Sequence, residues 1–268
     1  MHQGLFASKE LRNCLNLRKN TKPYEEMKAI QWIYTIYAAL IFISLMMLLG
    51  LFVLVPLLVS PKGGKISFFF IRIWAKVWSF CSGIRYKIEG REHIQANTPY
   101  IYIFNHRSFI DAPVIPIAIP QEIRAIGKKE LSKVPFFGLF LSRVAVWVDR
   151  KSPESRKKSV QKLLEILQKD ISVVVAPEGT RNDSDETLLP FQRGAFRISV
   201  ETGVPILPMA VIGADKIMKR GSILLKPGVV QIYFSAPIDP KAYQSTNDYN
   251  GLMEKSFNRL EAMILTHE

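Results

Sequence analysis

Cysteine is nearly absent from this chain: 268 residues contain two, Cys14 and Cys81, far apart in sequence and fitting no metal-ligand spacing. That excludes a disulfide scaffold and a cysteine-built metal centre, and it predicts a reduced, cytosolic setting. Acidic residues are scarce as well. The 23 Asp and Glu stand against 36 Lys and Arg, a formal net charge of +13, so an anionic partner is expected. Nucleic acid is the first candidate, but the chain has neither paired Cys/His spacing nor an RNA-binding sheet motif, and it is set aside. No internal repeat or low-complexity tract appears, and no G-x-S-x-G elbow. The most telling absence is local: residues 29–60 carry no charge of either sign.

Those 32 residues would reach roughly 48 Å as a helix, more than a bilayer core needs. The stretch is too long, and starts too late, for a secretory signal, and no small-x-small cleavage site follows it. It is therefore read as membrane-embedded. Its orientation stays open, because Arg18, Lys19, Lys22 and Lys28 precede it while Lys62, Lys65, Arg72 and Lys76 follow. If both flanks lie on the cytosolic side, the segment bends near Gly50 or Pro56 and dips into one leaflet; otherwise it forms one tilted span. Residues 66–80 mix Phe68, Phe69, Phe70, Trp74 and Trp78 with Arg72 and Lys76 four apart, the pattern of an interfacial helix whose indoles sit at headgroup depth and whose basic pair meets anionic lipid. A buried helix packed on the following domain is the alternative. The division expected is a polar, loosely ordered cytosolic arm over 1–28, a membrane-associated helical motif over 29–83 and an α/β domain over 84–268.

The last unit is long enough for one α/β core. Strands are predicted at 84–88, 100–104, 123–126, 144–148, 171–176, 204–212 and 229–234, with helices between most of them. The clearest helices are 154–168, with Val160, Leu163, Leu164 and Leu167 at helical spacing, and 250–265. The fold class is α/β, a mixed and mostly parallel sheet covered by helices.

Two of these strands end in chemistry. The run 100–104 leads into Asn105-His-Arg-Ser-Phe-Ile-Asp111. Residues five apart point away from each other in one helix and lie roughly 16 Å apart in one strand, so His106 and Asp111 meet only if a strand turns into a helix between them. Ser108, a natural N-cap, puts the break there. The blander alternative is a capping box, Ser108-x-x-Asp111, in which the acid merely satisfies a backbone donor. The run 171–176 leads into Pro177-Glu-Gly-Thr-Arg181, and two loaded strand ends imply one crevice. The polar loop 182–187 is expected to be mobile.

His106 and Asp111 with four residues between them, followed by Glu178-Gly-Thr-Arg181, resemble the signature of the glycerophospholipid acyltransferases, and most closely the lysophosphatidic acid acyltransferase family. Two further blocks occur in the family's order: Gly127-Lys-Lys-Glu-Leu-Ser-Lys-Val-Pro-Phe-Phe-Gly138 with Trp147-Val-Asp-Arg150, and Val204-Pro-Ile-Leu-Pro208. The resemblance spans about 84–237. It implies that His106 is the general base on a glycerol hydroxyl, that Asp111 orients it, and that Arg181 and Lys128 hold phosphate, with Lys129 in place of Lys128 if the alignment slips by one. Glu178 is expected to orient Arg181 or to bond the glycerol, and Gly179 to let the backbone pass close to the ligand. Neither metal nor resident cofactor is expected. Acyl-CoA or acyl-carrier protein would be the co-substrate, lysophospholipid and membrane lipid the partners, and the cytoplasmic membrane face the location. Another glycerophosphate or lysolipid acceptor, or a non-catalytic membrane-binding protein, are the alternatives.

Overall fold

The structure, a computed structural model, describes residues 3–59, 63–134, 138, 141, 144–149, 152–219 and 221–268. Two long helices come first. Helix α1 (Gln3–Val59) runs unbroken through Gly50 and Pro56, so the expected bend inside the apolar stretch is absent. Direction reverses instead between Val59 and α2 (Gly63–Cys81), where the sequence offers Pro61, Gly63 and Gly64. The physical reason is simple. A lone Gly or Pro can kink a helix, but reversing the chain requires a turn in which the helix bonds end altogether. The two helices lie antiparallel, as cross-bonds at both ends demonstrate: Trp78 Nε1 donates to the Ala38 carbonyl at 2.9 Å and Ser67 Oγ to the Val53 carbonyl at 2.6 Å. Met27–Pro56 within α1, whose most apolar 18-residue window has a mean hydropathy of 2.9, is long and apolar enough to cross a bilayer. From Gln3 the backbone is helical and continuous with the apolar segment.

Helix α2 corrects a second expectation. Trp74 and Trp78, assigned above to headgroup depth, are each 5 % exposed, and with Phe68 and Ile71 they face α1 and the domain behind it. The ring of Phe42 meets both indoles edge-on, at 4.8 and 5.7 Å between centroids. Lys76 is exposed, whereas the Arg72 guanidinium turns inward onto backbone carbonyls. The outer apolar surface is the far side of the hairpin, with Ile33, Leu40, Met47, Leu51 and Val55 on α1 and Phe69 and Phe80 on α2 exposed.

All seven predicted strands form, β1 (Ile84–Glu89), β2 (Ile101–Phe104), β3 (Ile123–Lys128), β4 (Ala145–Val148), β5 (Ser172–Val175), β6 (Ile206–Ile212) and β7 (Gly228–Phe234), in one sheet of order β1-β7-β6-β2-β5-β3-β4. Only β6 and β7 are antiparallel; the other five pairings are parallel. Central strands are buried on both faces and so read as continuous apolar runs rather than alternations. Side chains of β2 divide accordingly. Tyr102 and Phe104 join the layer of α2 and α3 (Asp111–Ala118), while Ile101 and Ile103 face α4 (Pro153–Leu167), α5 (Gly194–Thr202) and α8 (Tyr249–His267). Two short helices, α6 (Ala214–Ile217) and α7 (Lys241–Gln244), complete the cover. The hairpin is bonded to this domain, since Thr35 Oγ1 accepts from the Leu225 amide at 3.0 Å and Trp78 belongs to the core cluster that holds Tyr102 and Ile110.

Candidate functional site

Strands β2 and β5 are parallel neighbours with Ile103 opposite Val175, a register offset that puts residue 106 level with residue 178 just past the sheet. The structure uses this alignment directly. Glu178 Oε1 accepts the His106 amide at 2.8 Å, and the His106 carbonyl accepts the Asn182 amide at 2.7 Å, so both main-chain groups of His106 are clamped by the neighbouring loop. On the other side Asn105 extends the sheet with its side chain: its Nδ2 donates to the Val211 carbonyl at 2.8 Å and its Oδ1 accepts from the Val211 amide at 2.7 Å. The strand end is thus fixed between β5 and β6.

After Asn105 the chain turns and enters α3, bringing the imidazole over the helix's first residue. Asp111 Oδ2 lies 2.6 Å from His106 Nδ1 and also accepts the Ser108 amide at 3.2 Å. One carboxylate oxygen thus meets both the imidazole and the backbone amide of the turn. A carboxylate accepts, so Nδ1 is the donor that suits this bond and Nε2 is the ring nitrogen turned away from Asp111. The burial is asymmetric: the His106 side chain is 27 % exposed and that of Asp111 2 %. Ser108 is not the helix cap itself. Its hydroxyl accepts from the Ile110 amide at 3.3 Å and donates to the Met218 carbonyl at 2.7 Å, tying the turn to the chain beyond α6.

Glu178 is held by the backbone through both of its oxygens. Its second oxygen accepts the Leu189 amide at 2.9 Å, so a residue predicted to contact Arg181 or the glycerol is buried and bonded to two backbone amides. Burial raises its pKa above the usual carboxylate range, opposed by the amides of Leu189 and His106. A carboxyl whose folded pKa is raised stabilises the fold fully below its unfolded value, and that contribution is lost as pH rises through the folded value. Glu178→Gln leaves one acceptor for two amides and turns an NH₂ toward the other. The expected cost is about 1–3 kcal/mol, or roughly 2–4 °C of Tm per kcal/mol in a domain of this size. Thermal melting of both proteins checks this, with the wild-type advantage narrowing as pH rises out of the acidic range.

Gly179 sits at φ +74°, where an L side chain is strained, and a Cβ would come within 3.2 Å of Gln192 Cγ. Glycine here permits the sharp turn between β5 and Arg181. The Arg181 guanidinium lies 3.8 Å from the centroid of the Phe109 ring, a cation–π contact that links the two loops beside His106. The segment 182–187, expected to be mobile, is tied down: Asn182 Nδ2 donates to the Glu186 carbonyl at 2.8 Å, as does Arg107 Nη2 at 2.8 Å. Lys128 ends β3, two strands from β2 across β5 and so roughly 10 Å along the same carboxyl edge. It is exposed, 3.5 Å from Glu130, while Lys129 lies 3.8 Å from Asp149. Pro135, Phe136, Phe137 and Arg150 of the third block lie outside the described residues.

Sequence reasoning gave no role to Asn105, Phe109 or Asn182. Phe109 had a visible signal, a large apolar residue within a polar turn, and it is 53 % exposed. Asn105 and Asn182 act through pairings with distant backbone and had none.

The arrangement, a hydrogen-bonded imidazole–carboxylate pair at the end of β2 with the Arg181 guanidinium resting on Phe109 of the same turn, suits proton abstraction from the hydroxyl of an anionic acceptor. Comparison with known proteins agrees. The family model described as Acyltransferase matches residues 85–212, which contain every site residue named above. A chloroplastic 1-acyl-sn-glycerol-3-phosphate acyltransferase of Brassica napus is 33 % identical over 177 residues, 65 % of this chain and 51 % of that protein. The alpha 1-acyl-sn-glycerol-3-phosphate acyltransferase of Mus musculus is 31 % identical over 160 residues, 58 % of this chain and 55 % of that one. The chain thus spans about half the length of the curated relatives it matches. The crystal structure of the 1-acyl-sn-glycerophosphate acyltransferase PlsC from Thermotoga maritima superposes with a TM-score of 0.77 at 25 % identity, covering 90 % of this chain and 98 % of that one. Residues 85–212 thus match the acyltransferase family, and the chain resembles the 1-acyl-sn-glycerol-3-phosphate acyltransferases in sequence and fold.

Proposed function

We propose that the protein transfers a fatty acyl group from a thioester, acyl-CoA or acyl-carrier protein, to the free sn-2 hydroxyl of lysophosphatidic acid, giving phosphatidic acid. The observation that carries this is the 2.6 Å bond between His106 Nδ1 and Asp111 Oδ2, held at a strand end by a backbone clamp. Nε2 of His106 removes the proton of the acceptor hydroxyl as its oxygen attacks the thioester carbonyl carbon. Asp111 stabilises the imidazolium that results. When the tetrahedral intermediate collapses, the new C–O bond remains, the C–S bond breaks, and the imidazolium returns its proton to the departing thiolate. With the hydroxyl activated in this way no acyl-enzyme is needed, and Ser108, whose hydroxyl is engaged by Met218 and Ile110, is not a nucleophile.

Arg181 is the phosphate ligand in this reading, its planar fork matching two phosphate oxygens, and Lys128 supplies a second positive charge along the same edge. The hairpin of α1 and α2 seats the enzyme in the membrane, its exposed apolar face among lipid tails and the crevice facing the cytoplasm, where the lysolipid presents its headgroup. The deciding experiment is an assay of purified protein in vesicles against a panel of lysolipids with each thioester donor. Phosphatidic acid formed from lysophosphatidic acid at the highest kcat/KM supports the reading. Failure to acylate any glycerophosphate acceptor with either donor overturns it, and a preference for another lysolipid reassigns the acceptor.

A further inference from the structure

Helix α3 is eight residues long and begins with Asp111. A helix so short has little to hold itself with. Pro113 and Pro116 each remove a donor, and the carbonyls of its last turn have no partner within the helix. The structure supplies partners from outside. Arg72 Nε donates to the Pro116 carbonyl at 3.0 Å, and its Nη2 to the carbonyls of Ile119 at 3.1 Å and Pro120 at 2.7 Å. Arg91 Nε donates to the Ala118 carbonyl at 3.0 Å, and its Nη2 to that of Ile117. Every carbonyl from Pro116 to Pro120 therefore rests on one of two guanidiniums, which also complement the negative end of the helix. The two arginines come from separate places, Arg72 from α2 of the apolar hairpin and Arg91 from the 3-10 turn after β1. At the other end of the same rod, roughly 10 Å away at 1.5 Å per residue, Asp111 meets His106.

We propose that Arg72 and Arg91 are positioning residues for the His106–Asp111 pair: by fixing the carboxyl end of α3, they set the reach of Asp111 Oδ2 to His106 Nδ1. The inference rests on the acyl-transfer reading above. A helix anchored at its far end cannot slide or rotate, and a buried hydrogen bond of 2.6 Å tolerates neither. Arg72 also makes this anchor depend on the hairpin, so the element that seats the protein on lipid is bonded to the helix that carries the orienting acid.

The test is full-length protein in vesicles with lysophosphatidic acid and acyl-CoA, comparing wild type, Arg72→Lys, Arg91→Lys, Asp111→Asn and the double variant R72K/D111N. Lysine keeps the charge and loses the fork. Each lysine variant is expected to lower kcat about tenfold, since misplacement of a catalytic pair by an ångström costs up to about a hundredfold, while KM for the lysolipid changes less than about twofold. In the Asp111→Asn background, Arg72→Lys should cost little more, because the group through which it acts is already disabled. Unchanged kcat in both lysine variants overturns the proposal, as does a cost for Arg72→Lys undiminished by Asp111→Asn, or a rise in KM in place of a fall in kcat. Loss of the thermal transition in both lysine variants also overturns it, in favour of a cap that serves stability alone. An inactive wild type in the same assay would instead overturn the acyl-transfer reading itself.

Discussion

His106→Ala is expected to lower kcat by about 10²- to 10⁴-fold, the range that a positioned general base contributes, with KM for the lysolipid nearly unchanged. The loop should survive the substitution, because what holds residue 106 is its backbone. Its amide bonds to Glu178 and its carbonyl to Asn182, and neither contact involves the imidazole. Asp111 keeps the Ser108 amide as a partner, so the buried carboxylate is not stranded. Activity lost at constant fold therefore reports the chemistry and not a collapsed site. A circular-dichroism melt alongside the acyl-transfer assay separates the two, and a variant that folds and retains transfer within a few-fold of wild type rules out His106 as the base. Asp111→Asn should fall between the two, since an amide can still accept from Nδ1–H but provides no charge against the imidazolium.

The sequence made the centre of the sheet legible because β2, β5 and β6 are runs of four to seven residues without a charge, and the remaining four strands form close to their predicted ranges. The pairing of His106 with Asp111 was legible for a related reason: a spacing of five fits no single regular element, so it signals a turn, and the turn is there. The misreadings share a cause. Arg72 and Lys76 were treated as one basic face by helical spacing alone, yet Arg72 points at a helix end 44 residues away in sequence, at Pro116. The backbone partners of Glu178 are decided by strand register, which becomes visible only once β2 and β5 are side by side. The reversal of the hairpin was sought at Gly50 and Pro56 because those residues interrupt the apolar stretch, although isolated helix breakers in a lipid-like sequence need not break the helix. Local pattern discloses elements and sharp turns; contacts spanning tens of residues need the topology first.

Arg181→Ala should act on the other half of the reaction, raising KM for lysophosphatidic acid about 10- to 100-fold while kcat changes much less. The range follows from the 1.5–3 kcal/mol typical of hydrogen bonds to a charged partner. Specificity for the phosphate is the sharper measure. A monoacylglycerol acceptor, lacking the group that Arg181 would grip, should be used equally by wild type and variant, so the ratio of kcat/KM for the two acceptors collapses toward that of the phosphate-free one. Lysine at the same position keeps the charge without the bidentate fork and should recover part of the loss. The stacking partner sharpens the argument. Because the guanidinium carbon lies 3.8 Å from the Phe109 ring centroid, the side chain is held on the turn that carries His106 before any ligand arrives, and Phe109→Ala should raise the same KM by a smaller factor through lost orientation alone. If Arg181→Ala leaves KM for lysophosphatidic acid unchanged, the phosphate is held elsewhere on the carboxyl edge, with Lys128 the next residue to replace; if it lowers kcat at constant KM, the guanidinium serves the transition state and not the bound headgroup.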